Sequence, residues 1–245
     1  DFSFFTEKDK NTKSHFFYKY FKEYKTNHFD ESMVNLKIQQ SSNDTYLKAN
    51  KLKSDLISDS DVLENTFGLN LYSNDLSINT EVTVYENLNK ENSDRFEYIL
   101  PKFNLVKKIE NKTNFNGDFS FKSQGIMRNY DTNIYEKINI NDFIFNSSPK
   151  ITKNGFYNNF EFIFKNSNTD TQKSSNFKEG ENYYVSSLFQ FNTSLPLIKE
   201  NENYQNILKP KMSIKIAPNN SKNLSDRYSR IDVNNIYSLN RISED

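Results

Sequence analysis

Apolar and polar residues alternate with a period of two along most of this chain. From Leu76 to Glu86, Leu76, Ile78, Val82 and Val84 fall on one face, while Ser77, Asn79, Glu81 and Thr83 fall on the other. Such spacing predicts a strand with one apolar and one polar face. Phe115, Gly117, Phe119 and Phe121 alternate with Asn114, Asn116, Asp118, Ser120 and Lys122, and Phe156, Phe160, Phe162 and Phe164 repeat the device against Asn159, Glu161 and Lys165. The pattern recurs in Val34, Leu36 and Ile38, in Tyr183, Val185, Phe189 and Phe191, in Met212, Ile214 and Ile216, and in Ile231, Val233, Tyr237 and Leu239. About ten strands are predicted, many close to the ~9–11 residues with which a tilted strand crosses a bilayer.

One segment fits two periods. Phe16, Phe17, Tyr20, Phe21 and Tyr24 make a helical stripe, but Phe16, Tyr18, Tyr20 and Tyr24 also alternate; the neighbouring strands favour a strand here too. Between the runs, clusters of Asn, Asp, Ser, Lys and Gly at Asn87 to Asp94, Asn166 to Gly180 and Pro218 to Asp226 suit turns. The prolines at 101, 149, 196, 210 and 218 are expected near strand boundaries, where a missing N–H costs the ladder least. The chain therefore reads as successive hairpins in one architectural unit, without a linker or a fixed-period repeat.

Composition sharpens this picture. Ala49 and Ala217 are the only alanines, which argues against extended helical bundles. The 22 Phe and 15 Tyr argue against disorder. Thirty-two basic residues balance 32 acidic ones, so the broad basic footprint of a nucleic-acid binder is missing. With no Cys there is no disulfide framework or thiolate chemistry. No apolar run reaches the ~18 residues of a membrane-spanning helix, a criterion that leaves membrane β-barrels open because their strands alternate. Asp1 begins in mid-pattern, so a mature piece or a fragment of a longer protein is expected.

The residues supply little for catalysis. His15 and His28 lack metal-ligand spacing and read as surface or wall residues. No Gly-x-Ser-x-Gly elbow exists for a serine hydrolase. Asp59, Asp61 and Glu64, like Asn168 and Asp170, lack the glycine of a calcium loop and are expected in solvated turns. Arg227, Arg230 and Arg241 gather near the C-terminal end beside Asp226 and Asp232; paired surface charges are the default reading. A sharper one puts Arg230, Asp232 and Asn234 on a polar inner wall. No enzyme activity, cofactor or metal is expected.

Alternation alone fits both a soluble β-sandwich and a membrane barrel. Large aromatics opposite Asn, Lys, Ser and Thr, with few Ala and Gly, favour a barrel wall with a wet interior.

A set of short motifs resembles the barrel of the LPS-assembly outer-membrane protein (LptD/OstA) family. The run Val34 to Leu47, with Ser42, Asn43, Asp44 and Tyr46 at its turn, is similar to a strand-and-turn signature of that family. Val84 to Leu88 and Tyr98 to Phe103, the latter with Pro101, follow in the family's order. So do Asp131-Thr132-Asn133, Ile140-Asn141-Asp142, Ser194-Leu195-Pro196-Leu197 and Leu208-Lys209-Pro210-Lys211, and finally Ile231 to Ser243, with Asn240-Arg241. The resemblance implies an all-β fold: antiparallel strands forming part of a large transmembrane barrel in the cell outer membrane. Residues 1–245 would be a partial barrel domain, without the family's N-terminal jelly-roll and its closing strands. The function implied is insertion of lipopolysaccharide into the outer leaflet, without covalent chemistry. Implied partners are lipopolysaccharide, outer-membrane lipid, a lumen-plugging lipoprotein (LptE) and, through the jelly-roll, a periplasmic LPS-bridge protein; no nucleic acid is expected. The absence of Cys departs from family members that carry disulfides. The alternatives are a porin or receptor-type outer-membrane barrel that passes small solutes, and a secreted β-sandwich adhesin.

Overall fold

The computed structural model describes residues 2–6, 12–49, 56–57, 59–201 and 204–218, with side chains from Ser14 onward. The strands are β1 (Phe2–Thr6), β2 (Thr12–Tyr24), β3 (Glu31–Ser41), β4 (Val62–Tyr72), β5 (Leu76–Asn87), β6 (Phe96–Ile109) and β7 (Gly117–Tyr130). They continue with β8 (Ile134–Ser147), β9 (Lys150–Ile151), β10 (Tyr157–Gln172), β11 (Gly180–Ser194), β12 (Leu197–Asn201), β13 (Tyr204–Leu208) and β14 (Lys211–Ile216). One short helix, α1 (Tyr46–Ala49), and a 3₁₀ turn at Asn92–Asp94 are the helical elements among the described residues. The fold is all-β, dominated by a large antiparallel sheet. Its strand order is β1 to β8, then β10, β11 and β14, with β9 paired to β10 and with β12–β13 as a separate ribbon. Among the described residues that order is open, ending at β1 and β14.

The long strands follow from the alternation, and the turns from residues that tolerate left-handed backbone. β7 and β8 are joined by Asp131, Thr132 and Asn133, all at positive φ, and Asn92 and Lys173 mark two further turns. The segment that fitted both periods is strand, paired to β3 from His15 opposite Ser41 to Tyr24 opposite Ser32.

Three expectations are corrected. Pro101 lies inside β6. Glu81 faces Lys102 and Thr83 faces Ile99, so Leu100 and Pro101 together stand opposite Val82. A bulge of this kind leaves a residue outside the ladder, and a proline fits there because it has no N–H to pair. The loop expected from Asn166 shrinks, because β10 continues to Gln172 and carries Asn168 and Asp170 as strand residues. Backbone ladders do not depend on side-chain polarity, and buried Thr171 secures the end by donating to the Lys178 carbonyl at 2.8 Å. Glu64 likewise lies within β4, whereas Asp59 does cap a turn by accepting from the Asp61 N–H at 2.8 Å.

Contacts divide the chain into two units: Asp1–Lys107, Lys122–Asn141 and Ser167–Tyr183 form the first, and Lys108–Phe121, Asp142–Asn166 and Tyr184–Asp245 the second. In the first, cross-strand registers define both faces of β2–β6. One carries the rows Tyr20–Leu36–Phe67–Val82 and Tyr24–Ser32–Leu71–Ile78–Leu105. The opposite face carries Lys19–Lys37–Thr66–Thr83–Ile99 and Met33–Asn70–Asn79–Asn104. In the row through Phe67 and Val82 the apolar face is the more open: Phe67 is 48 % exposed and Val82 36 %, whereas Thr66 is 6 % and Thr83 0 %; Ser32, in the other apolar-face row, is buried. A small apolar cluster of Phe17, Tyr46, Leu47, Leu63 and Leu88 is buried in the same unit. His15, expected at the surface or in the wall, is a buried wall residue, its ring 4.8 Å from Phe17 and 5.7 Å from Tyr46.

The second unit holds a row of phenylalanines on successive strands. Phe143 stacks on Phe119 at 5.6 Å, and tilted ring pairs follow between Phe119 and Phe145 at 4.5 Å, Phe145 and Phe160 at 5.5 Å, and Phe160 and Phe189 at 6.1 Å. Ring pairs at these separations add ~0.5–1.5 kcal/mol each beyond area burial.

Candidate functional site

The polar face of the first unit is a hydrogen-bonded surface. Lys37 Nζ donates to Glu64 Oε2 at 2.7 Å, Thr66 Oγ1 donates to Glu64 Oε1 at 3.0 Å, Thr66 and Thr83 hydroxyls meet at 3.1 Å, and Thr83 Oγ1 donates to Glu81 Oε1 at 3.1 Å. This ladder crosses β3, β4 and β5. It exists because polar side chains two apart on a strand point the same way and meet their cross-strand neighbours. Tyr72 donates to Asn79 at 2.5 Å, and the Asn35 amide lies where a side chain on Gly68 would stand. Arg128 donates to Glu97 at 2.6 Å and covers the Tyr130 ring at 3.8 Å. Buried Glu136 accepts from Tyr130 at 3.2 Å and from Ser174 at 2.6 Å.

At one end of these strands, charged loops are tied together. Arg95 Nη1 and Nη2 grip both oxygens of Asp44 at 3.1 and 2.7 Å, while its Nε reaches Glu86 at 2.8 Å. These bonds link the loop after β3 to the β5–β6 connection; they hold the Asp44 carboxyl below the usual carboxylate range and push the Arg95 guanidinium up. Lys48 pairs with Asp61, and Lys90 with Asp131 at 2.6 Å. Asp94 accepts the Thr132 N–H at 2.5 Å and its hydroxyl at 3.0 Å, which lowers the Asp94 pKa. Those two bonds also secure a β-branched residue at φ +51°, a conformation that such residues rarely adopt. A cavity of about 250 Å³ opens among these groups, lined by Tyr85, Lys90, Asp94, Arg95, Glu97 and Asp131 among others.

These aspartates have depressed pKa values, so the stability they contribute is present above the ordinary carboxylate pKa of ~3.9 and is lost as pH falls through their lower folded values. Amide exchange in residues 42–49 and 131–133 is therefore expected to stay constant from pH 7 to pH 5, compared at equal intrinsic exchange rate, and to accelerate only below about pH 4. Asp44→Asn should raise exchange in the 42–49 segment at neutral pH by about fivefold at most, since an exposed pair contributes ~0.2–1 kcal/mol. Equal protection in the two proteins would show that the pair holds nothing.

The motif residues that lie among the described ones serve mainly as structural pins. The Ser42 hydroxyl accepts the Ser14 N–H at 2.7 Å, tying the end of β3 to β2. Asn43 Oδ1 accepts the Thr45 N–H at 2.9 Å and its hydroxyl at 2.8 Å, which opens the turn into α1. Asp44 holds Arg95, and Tyr46 fills the apolar cluster. Pro101 forms the β6 bulge. Asn141 accepts from Ser123 at 2.7 Å and donates to Asn139 at 2.6 Å. Asp142 stands 3.7 Å from buried Lys165. Pro196 and Pro210 border the β12–β13 ribbon, where the Pro210 carbonyl accepts the Leu195 N–H at 3.1 Å. Arg230, Asp232, Asn234, Asn240 and Arg241, with the predicted strand Ile231 to Leu239, lie outside the described residues.

Sequence reasoning overlooked the hubs. Arg95 sits 51 positions from Asp44 and was hidden at the end of an Asn/Asp/Ser-rich turn. Glu64 carried a signal in its place on the polar face of an alternating run, opposite Tyr85. What the arrangement can do chemically is present hydrogen-bonding and mixed-sign charged groups to water or a polar solute on one face and a largely apolar surface, interrupted by Ser32 and Thr80, on the other. Among the described residues no cluster of His, Cys, Asp or Glu has the geometry to hold a metal ion. Compared with known proteins, the chain matches no family model and no curated protein.

Proposed function

We propose that this chain is a section of the wall of an outer-membrane β-barrel that inserts lipopolysaccharide into the outer leaflet. The single observation that carries the membrane reading is the inversion of the two sheet faces: Phe67 and Val82 lie on an exposed apolar face, while Thr66 and Thr83 are buried in a polar ladder. Water penalises an open face of this kind, whereas hydrocarbon favours it, and a barrel lumen can hydrate the polar side. A β-sandwich adhesin would bury the apolar face against a second sheet. The assignment to lipopolysaccharide rests on the ordered motifs that resemble the LPS-assembly family; in this reading the lipid, outer-membrane lipids, a plugging lipoprotein and a periplasmic bridge are the partners. Depleting the full-length protein should stop new lipopolysaccharide from reaching the cell surface, measured by surface labelling; normal surface levels would refute the transport role.

The mixed-sign cavity beside Lys90, Arg95 and Glu97 also suits a porin or receptor-type barrel. Ion conductance by the complete protein in a planar bilayer, with normal surface lipopolysaccharide, would favour that second reading.

A further inference from the structure

We propose that the β12–β13 ribbon is a membrane-interface anchor, with its base among lipid acyl chains and its tip among headgroups. This rests on the reading of the apolar sheet face as lipid-facing, and it extends that reading to an element outside the large sheet.

The register carries the argument. Along β11 and β14 the pairs Phe189–Ile216, Phe191–Ile214 and Thr193–Met212 share one face, and Gln190–Lys215, Asn192–Ser213 and Ser194–Lys211 share the other. Ser194 faces Lys211 and, three positions further along each strand, Leu197 faces Leu208. The ribbon therefore continues the β11–β14 pairing without a slip, through a joint where Pro196 and Pro210 cannot donate to the ladder. With spacers of equal length on the two strands, Leu197 and Leu208 keep the register parity of Phe191 and Ile214. Val185 to Leu197 covers about 40 Å of strand at ~3.4 Å per residue, which a ~45° tilt reduces to roughly 29 Å, close to the ~30 Å hydrocarbon core. Leu197 and Leu208 then stand at the rim of that core.

Polarity along the ribbon fits this position. Leu197–Leu208 and Ile198–Ile207 place one apolar pair on each face of the base, while Lys199–Asn206 and Glu200–Gln205 follow towards the tip, which ends in Asn201–Tyr204. Every residue of both strands is exposed, with Ile207 at 64 % and Leu208 at 65 %. Two isolated strands in water are marginal, so apolar pairs on both sides of so thin an element need an apolar surrounding on both sides. A tyrosine at the tip, amphipathic itself, suits the headgroup level.

Residues 1–245 contain no Cys, so single cysteines placed here are labelled without background from this section, with any cysteine elsewhere in the full-length protein replaced by Ser. Full-length protein carrying F191C, L197C, Ile207→Cys, L208C or Asn201→Cys would be labelled with an environment-sensitive fluorophore in phosphatidylethanolamine/phosphatidylglycerol vesicles containing nitroxide-labelled lipid. Quenching at 197, 207 and 208 should approach that at 191 and exceed that at 201 by about twofold, since acyl density falls away over ~5–10 Å at the interface. Strong quenching at 191 with aqueous fluorescence at 197, 207 and 208 would overturn the anchor and leave the lipid-facing sheet intact; a ribbon docked on a protein would give this result. Aqueous fluorescence at 191 as well would overturn both.

Discussion

If the apolar sheet face meets lipid as proposed, arginine in place of Phe67 or Val82 is expected to destabilise the full-length protein in lipid vesicles by up to ~2–4 kcal/mol, the cost of a cationic side chain on the lipid face of a barrel at the midplane. The corresponding shift in the folded ratio is roughly 30- to 1,000-fold. Both positions are exposed, and their row also contains Leu36 and Tyr20. In a water-facing sheet the same substitutions would change stability by only about ±0.5 kcal/mol. Urea unfolding of each variant, with Thr80→Arg as a third position on that face, reads the difference directly. Thr80 already brings a hydroxyl to the apolar face opposite Leu69 and Phe103, so depth along the strand should scale the penalty.

Gly117→Ala is expected to be the most damaging single-methyl change in the second unit. A Cβ there would lie 2.4 Å from the Asn146 carbonyl oxygen, 2.8 Å from Ser147 Cα and 2.7 Å from the Phe145 ring. Two of these neighbours are backbone, tied to the Gly117 segment by the Ser148 N–H bond to the Asn116 carbonyl at 2.9 Å, while Asn111 fixes Gly117 itself by donating to its carbonyl at 2.7 Å. Overpacking of this kind costs ~1–3 kcal/mol or more, and here it would also push Phe145 out of the phenylalanine row. Gly68→Ala supplies the control. The three atoms nearest its Cβ all belong to the Asn35 side-chain amide, the far end of a flexible side chain that can swing aside, so a loss below ~1 kcal/mol is expected. Equal unfolding midpoints for the two variants would show that the close approach at Gly117 is not a structural constraint.

Strand identity was legible in this sequence because a period of two needs no long-range information. The faces read from Leu76, Ile78, Val82 and Val84 against Ser77, Asn79, Glu81 and Thr83 are the faces that the registers define. Which face would be open was not legible from alternation, which is the same whether the apolar side meets a second sheet or hydrocarbon; the burial of Thr66, Thr83 and Gln39 became visible only in the structure. Strand ends were the weakest part. The polar stretch from Asn166 to Gln172 looks like a turn because its residues favour turns, yet the neighbouring ladder holds it extended. Pro101 inside β6 was hidden for a related reason: whether a bulge can absorb a missing donor depends on the partner strand. The loop contacts were least accessible of all. Arg95–Asp44, Lys90–Asp131 and Asp94–Thr132 join residues roughly 40 to 50 positions apart, and nothing local in an Asn- and Asp-rich turn marks which charges will meet.

Spin labels placed one at a time along residues 62–72 of the full-length protein in lipid vesicles test the central claim most directly. Collision with oxygen, which concentrates in hydrocarbon, is expected to peak at Phe67, Leu69 and Leu71, and collision with a water-soluble nickel chelate to peak out of phase at Glu64, Thr66 and Asn70, while Leu63, buried in the apolar cluster, should be shielded from both. Nickel collisions strongest at Phe67, Leu69 and Leu71, or a protein that stays monomeric in water without lipid or detergent, would contradict the membrane wall.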